Sequence, residues 1–325
     1  MINNFKLEII KRFPGLQRWI RYNYGLIPEK LKATDFIFGG LGVTKKVLRP
    51  DGQWTLWLPS DERQSGRRVE TMACTCFSLL NVLEMLAKVK AYGEWNKSDR
   101  FSSKLSGVTR SGNSQSKVLD SVRKLHGIVN EEVWPSNIDD FSWSEFYASI
   151  PQDVVDSGFT FVNEYEVGYE AVWSTPNALK EALKYSPLYI AGFAWAYDGG
   201  FYRSYGNPNH AFVLVGYVDG QYWLAYDSYA PHLKKLAWDY KIFYPKVITL
   251  NKRGEIWNMA KIADLVKRGF KYIILPETFG EIYEIFPTEL KKIEPAEWNN
   301  RAVQMSSDQK TLIGISNEYF NQLKL

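Results

Sequence analysis

Between Cys74 and Val89 the apolar residues Phe77, Leu80, Leu83 and Leu86 recur on roughly one face, which predicts a helix starting at Cys74. A second helix is expected from about Gln115 to Leu125, stopped by Gly127 as a left-handed terminator. Thr175-Pro176 supplies an N-cap followed by a proline at the first helical position, so a third helix is expected over 177–185. Then the pattern changes. Three β-rich runs follow at 188–196, 210–218 and 221–227, the last two joined by a turn at Asp219-Gly220. Helices first and strands afterwards predict an α+β arrangement rather than alternating βαβ units.

The flanks are less regular. Residues 1–35 read as helical and basic, interrupted at Pro14-Gly15. Phe36–Phe38 and Trp54–Leu58 look like short strands, and Asp51-Gly52 like a hairpin turn. The polar stretch 92–116 reads as a surface loop. Beyond about residue 250 a helix at 256–267 and strands at 272–275 and 282–286 are expected, with a more polar end after 300. These changes of character divide the chain into an N-terminal extension (1–57), a central domain (58–250) and a C-terminal α/β extension (251–325).

Composition narrows the function classes. With 45% apolar residues among 325, the chain can bury one large core or two ordinary ones. Lys+Arg 40 against Asp+Glu 36 leaves only +4, and no basic stripe accompanies it, so no nucleic-acid partner is expected. The aromatic fraction of 15% suits an aromatic core and a concave binding surface equally. No run of about eighteen apolar residues occurs, so no membrane partner is expected, and residues 1–8 lack the apolar core of a secretory signal. Cys74 and Cys76, the only two cysteines, are too close together for a structural disulfide. Reduced thiols place the expected location in the cytoplasm or in a virion assembled there.

Candidate chemistry rests on those cysteines together with two distant residues. His210, one of three histidines, lies 136 positions beyond Cys74, and Asp227 follows 17 further on. A thiol at a helix N-terminus gains thiolate character from the free N–H groups and the helix dipole. An imidazole beside it supplies the base, and a carboxylate on the far ring nitrogen fixes its tautomer. Each residue alone has a bland reading: Cys74 as a small buried hydrophobe, His210 as a structural strand histidine, Asp227 as a strand-end residue. A metal site from Cys74, Cys76 and His232 or His210 is the weaker alternative, because one C-x-C lacks the paired spacing of structural zinc sites.

The surrounding residues carry a resemblance. Cys74, Phe77, Ser78 and Glu84 match the C-x-x-F-S-x-x-x-x-x-E pattern of the papain-like cysteine peptidases, whose His and Asn lie about 130–150 residues downstream. Choosing Cys76 instead loses these matches. Gly112-Asn113-Ser114 resembles the family's substrate-binding loop, Gly127–Pro135 its G-[IV]-x-x-E-x-x-Y-P segment, and Tyr222–Tyr229 its Y-W-x-x-x-N-S-W segment. Similarity runs from about Leu58 to about Ala230.

The resemblance implies a two-lobed papain-like fold, with a helical lobe carrying Cys74, a β-rich lobe carrying His210 and Asp227, and N- and C-terminal extensions. It implies hydrolysis of a polypeptide or peptide substrate without a cofactor or metal. Ser111, Gly112, Asn113 and Asn209 are then expected to line the substrate cleft. Departures are plain: Asp227 replaces Asn, Tyr229 replaces a shielding Trp, Thr75 follows the nucleophile where Trp is usual, and Arg68 occupies the oxyanion-glutamine position. Gln64 can serve instead if Gly66–Thr71 form an inserted loop, with the Cys74 amide as second donor. Residues 1–57 lack the family's propeptide pattern; they could still cover the cleft, but a structural extension is the preferred reading, and the terminal extensions are where an assembly partner is expected. Two rivals stand beside the peptidase: a thiol amidase or isopeptidase acting on cell-wall peptides, and an inactive papain-fold structural or binding protein.

Overall fold

The computed structural model describes residues 24–30, 35–39, 47–252, 272–275, 281–286, 289–293 and 312–314. Expected features on residues 1–23, the helix at 256–267 and the end after 314 lie outside the described residues. The first long element, α1 (Cys74–Val89), has the predicted bounds, and its buried residues include Phe77, Leu80, Leu83 and Leu86. Its N-cap is Ala73, which offers no side-chain cap. An uncapped N-terminus forgoes roughly 1 kcal/mol and leaves its N–H groups available to another acceptor.

The stretch read as a loop at 92–116 contains a helix, α2 (Asp99–Leu105), started by Ser98, whose side chain accepts from the Phe101 amide. Of its buried polar residues, Arg100 is satisfied by distant carbonyls. The Arg100 guanidinium donates to the carbonyls of Pro135, Glu145 and Phe146. Next, α3 (Gln115–Asp120) runs into a π turn at Ser121–Leu125 instead of one continuous helix. Two further helices follow, α4 (Trp143–Phe146) and α5 (Gln152–Glu164). After strand β1 (Tyr165–Ala171) comes α6 (Pro176–Leu183), opened by Thr175, whose side chain accepts from the Ala178 amide.

The remaining strands of the main sheet are β2 (Leu188–Gly192), β3 (Ala196–Asp198), β4 (Phe201–Arg203), β5 (His210–Val218), β6 (Tyr222–Tyr226), β7 (Leu233–Ala237) and β8 (Phe243–Lys252). Their order is β1-β8-β2-β5-β6-β7-β4-β3, antiparallel except for the β4–β7 pair. The run at 188–196 thus splits, with β2 central and β3 in an edge hairpin. β2 is buried throughout and β5 over His210–Gly216, which explains their continuous apolar sequences. α1 docks on this sheet, where Tyr189 Oη donates to the Thr75 carbonyl at 2.8 Å.

Trp54–Leu58 is not a strand; it holds a 3₁₀ turn (Thr55–Trp57), pinned by Trp54 Nε1 donating to the Leu183 carbonyl. Phe36–Phe38 makes one bridge, Ile37 to Ala171. A second sheet has the order β11-β10-β9-β12, from β9 (Tyr272–Leu275), β10 (Glu281–Phe286), β11 (Glu289–Lys292) and β12 (Leu312–Gly314). Lys292 on this sheet pairs with Glu166 of β1.

Candidate active site

Cys74 is the first residue of α1, and β5 begins at His210 directly opposite. The Ala211 amide donates to Cys74 Sγ at 3.3 Å, so the thiol lies against the first turn of the strand. His210 Nε2 and Asp227 Oδ1 are 2.6 Å apart. His210 Nδ1, on the other edge of the ring, has no hydrogen-bond partner among the described residues. Asp227 follows β6, the strand paired with β5, and this hairpin brings the carboxylate back to His210. All three groups are closed off: Cys74 and His210 are 0% exposed and Asp227 1%.

Electrostatics follow from that burial. Desolvation pushes the Cys74 thiol well above its ordinary value; the Ala211 amide opposes this, and Asp227, Cys76 and Glu70 add to it. The thiol is therefore neutral in this closed arrangement. For Asp227, desolvation works upward, but His210 and Lys234 outweigh it and hold the carboxyl below its ordinary value. Lys234, on β7, forms an ion pair with Asp227 Oδ2 at 2.8 Å.

Gln64 stands at the head of a short loop. Ser65 bridges Glu70, and the Thr71 amide and hydroxyl both donate to the Gln64 carbonyl, so 65–70 form a small closed loop. The Gln64 amide group is oriented at both ends: Ser228 Oγ donates to Oε1, and Nε2 lies within 2.8–3.3 Å of Glu70 Oε1, Tyr229 Oη and the Tyr24 carbonyl. Tyr229 Oη donates to Glu70 Oε2, and its ring packs 5.3 Å from His210. Trp195 stands edge-on to the same imidazole at 5.6 Å.

What closes the site is the chain's own segment 24–30. Asn113 grips it through two backbone bonds: Asn113 N–H donates to the Gly25 carbonyl and Ile27 N–H to the Asn113 carbonyl. Leu26 pairs with Asn113 as a parallel bridge and is 3% exposed. Tyr24 N–H donates to the Asn209 carbonyl at 3.1 Å, and the Tyr24 ring stands edge-on to His210 and Tyr229. Two close backbone approaches mark the fit. A Cβ at Gly25 would lie 2.2 Å from the Met72 carbonyl oxygen, and one at Gly112 would lie 1.9 Å from the Gly25 oxygen. Downstream, Glu29 Oε1 pairs with the buried Lys246 at 2.7 Å, and Oε2 accepts from Ser116 N and Oγ.

Gly112, Asn113 and Asn209, read as cleft residues, thus all touch this segment. Ser111 is exposed on the Thr109–Gly112 turn, its amide bonded to Thr109 Oγ1. Cys76 lies in the core with Sγ 3.4 Å from Ser106 Oγ, away from the cleft. His232 Nδ1 donates to the Asp227 carbonyl, and among the described residues no cluster of three or more His, Cys, Asp or Glu is placed to hold a metal ion. No described helix is long and apolar enough to cross a membrane.

Sequence reasoning missed Tyr24, Glu29, Glu70 and Lys234. The inward alternation Lys234-x-Leu236 on β7 was a usable signal for the last, since both side chains point to the buried face. Tyr24 and Glu29 show no local pattern because their partners are far away in sequence.

The sequence matches no protein-family model and no curated relative. Solved structures do match. A clostridial cysteine protease, Cwp84 after propeptide cleavage, is 16% identical with a TM-score of 0.50, covering 61% of this chain and 57% of that one. A structure of the cysteine protease and lectin-like domains of Cwp84, a surface-layer-associated protein of Clostridium difficile, is 15% identical with a TM-score of 0.51. It covers 85% of this chain and 64% of that one, so this chain spans somewhat over half of these relatives. The chain has the α+β, two-lobed fold of the papain-like cysteine proteases.

Proposed function

We propose that this papain-like fold is a cysteine peptidase that hydrolyses peptide bonds through Cys74 and His210, held latent by its own segment Tyr24–Ile27. The observation that carries the reading is the state of His210. One ring nitrogen is committed to Asp227 and the other has no hydrogen-bond partner among the described residues, on the residue next to the amide that touches the Cys74 sulfur. A merely structural buried histidine is expected to have both nitrogens satisfied.

In the open form the largest cause of the raised thiol value, burial, is removed, and a proton passes from Cys74 to His210. The thiolate attacks the carbonyl carbon, and the C=O pair moves onto oxygen. The oxyanion is received by the Cys74 amide at the uncapped start of α1 and by Gln64 Nε2. As the oxyanion collapses the C–N bond breaks, and the imidazolium gives its proton to the leaving amine. Water then attacks the thioester while His210 takes its proton; the C–S bond breaks, releasing the acid and regenerating the thiol.

The place of Gln64 supports this assignment, because its Nε2 already lies 3.3 Å from a backbone carbonyl, that of Tyr24. Asn113 and Asn209 supply the backbone groups along which an extended peptide runs once the segment leaves. An epoxide electrophile tests the reading. Folded protein should be labelled at Cys74 at least about tenfold faster than at Cys76, and His210→Ala should abolish the difference. Equal labelling of the two thiols, or labelling unaffected by His210→Ala, would sink the proposal.

A further inference from the structure

We propose that Lys234 is a positioning residue that neutralises Asp227, so that the Asp227–Lys234 pair presents itself to His210 as a dipolar acceptor without net charge. This deepens the peptidase reading and rests on His210 acting as the proton carrier.

The ammonium is fixed on every side. It lies 2.8 Å from Asp227 Oδ2 and donates to the carbonyls of Tyr229 and Pro231. The ring of Trp195 faces it at 5.1 Å and that of Tyr202 at 5.7 Å, both favourable for a cation. The residue is 2% exposed, an uncommon position for lysine. An isolated lysine would not be retained there, because burial disfavours its charge; Asp227 works in the opposite direction.

The carboxylate is correspondingly divided. Oδ1 serves His210 and Oδ2 serves Lys234, while the backbone on either side is locked by the Asp227 N–H to the His232 carbonyl and by His232 Nδ1 to the Asp227 carbonyl. An unpaired buried carboxylate beside an imidazole stabilises the imidazolium and hinders the step in which it must give up its proton. An amide orients the ring without adding charge. Pairing Asp227 with Lys234 recovers that behaviour: an acceptor oxygen facing the ring and a net charge of zero behind it. Trp195 contributes to both partners, edge-on to His210 and presenting a face to Lys234.

The test uses full-length Lys234→Met, Asp227→Asn and the double variant, with two readouts: the pH dependence of Cys74 alkylation, and the side-chain NMR titration of His210. In Lys234→Met, Asp227 keeps its charge, so the His210 midpoint and the matching limb of the alkylation profile should move up by about one pH unit. Asp227→Asn alone strands the ammonium and should lower the alkylation rate at least about tenfold. The double variant should return to within about threefold of wild type, with its midpoint restored. If Lys234→Met does not fold, the same comparison runs between Asp227→Asn and the double variant. An unmoved midpoint in Lys234→Met, or a double variant no better than Asp227→Asn, overturns the proposal. Because the titration needs no turnover, a shifted midpoint in a chain that hydrolyses no peptide even when opened by Gly25→Ala would reject the peptidase reading and leave this inference standing.

Discussion

Replacing Glu29 by Gln should open the cleft without disturbing the residues that line it. Glu29 anchors the downstream end of segment 24–30 by one ion pair to Lys246 at 2.7 Å and by accepting from Ser116 N at 3.0 Å and Oγ at 2.6 Å. Lys246 is 5% exposed, but it keeps a second partner, Gln115 Oε1 at 2.7 Å, so the substitution weakens the anchor more than it orphans the lysine. Removing the charge while keeping the shape costs the charged part of these bonds, about 2 kcal/mol. If the segment detaches as a unit, the open fraction rises about 30-fold. The assay is the iodoacetamide rate at Cys74, with Cys76 in the same molecule reporting global unfolding. Cys74 should accelerate by about 10- to 100-fold while Cys76 is unchanged.

The pH dependence adds a second constraint. Desolvation raises Glu29, but Lys246 and Ser116 outweigh it, so the folded-state value lies below the ordinary 4.5. A depressed carboxyl contributes in full above its ordinary value and loses that contribution as pH falls through the folded value. Acid should therefore promote opening in wild type, and that increment should vanish in Glu29→Gln. An unchanged Cys74 rate in the variant, or equal acceleration at Cys76, would refute the latch.

Other consequences are direct. Gly25→Ala places a Cβ 2.2 Å from the Met72 oxygen at a residue with φ +104°, so it should expel the segment and raise Cys74 labelling above that of Glu29→Gln. Gln64→Ala should lower the rate of acylation by a substrate ester about 10²- to 10³-fold, measured at a temperature where its melting curve shows it folded. Glu131 is pushed by burial to about 7, with Glu62 adding to this and Ser136 and Arg100 opposing it. A raised carboxyl loses stability as pH climbs from its unfolded value toward its folded one, so thermal stability should fall between about pH 4.5 and 7. Glu131→Gln should flatten that part of the profile in a melting series.

Where local pattern and tertiary burial agree, the chain could be read directly. Cys74–Val89 is buried on all sides from Cys74 to Ala87, the face its periodicity marks included, and His210–Val218 is apolar because the sheet is covered there. Both elements carry the candidate chemistry at their first residue, which is why Cys74 and His210 could be found from spacing. α2 was hidden because Asp99, Arg100, Ser102 and Ser103 are buried despite being polar. Hydropathy registers composition, whereas Arg100 is paid for by carbonyls some 35–46 residues away. Trp54–Leu58 is apolar and aromatic like a strand, yet Trp54 reaches across to the Leu183 carbonyl and the backbone forms a 3₁₀ turn instead.

The cleft segment was illegible for a related reason. Tyr24–Ile27 has no periodic signature, and its contacts with Asn113, Asn209 and Gln64 are made mostly through backbone atoms, which any sequence offers. Within the N-terminal extension this segment touches the candidate site residues Asn113, Asn209 and His210. The partner of Asp227 is Lys234, on a strand whose inward-facing charge is matched only in three dimensions.

The most direct measurement is proteolysis by the opened protein. Full-length Gly25→Ala is incubated with a denatured protein and, separately, with purified peptidoglycan, and new amino termini are counted by mass spectrometry, with a Gly25→Ala/Cys74→Ala control. New termini within the denatured protein, absent from the control, are the predicted result. An opened protein whose Cys74 alkylates readily yet which generates no termini in the polypeptide, or generates them only in peptidoglycan, would contradict a peptidase acting on protein.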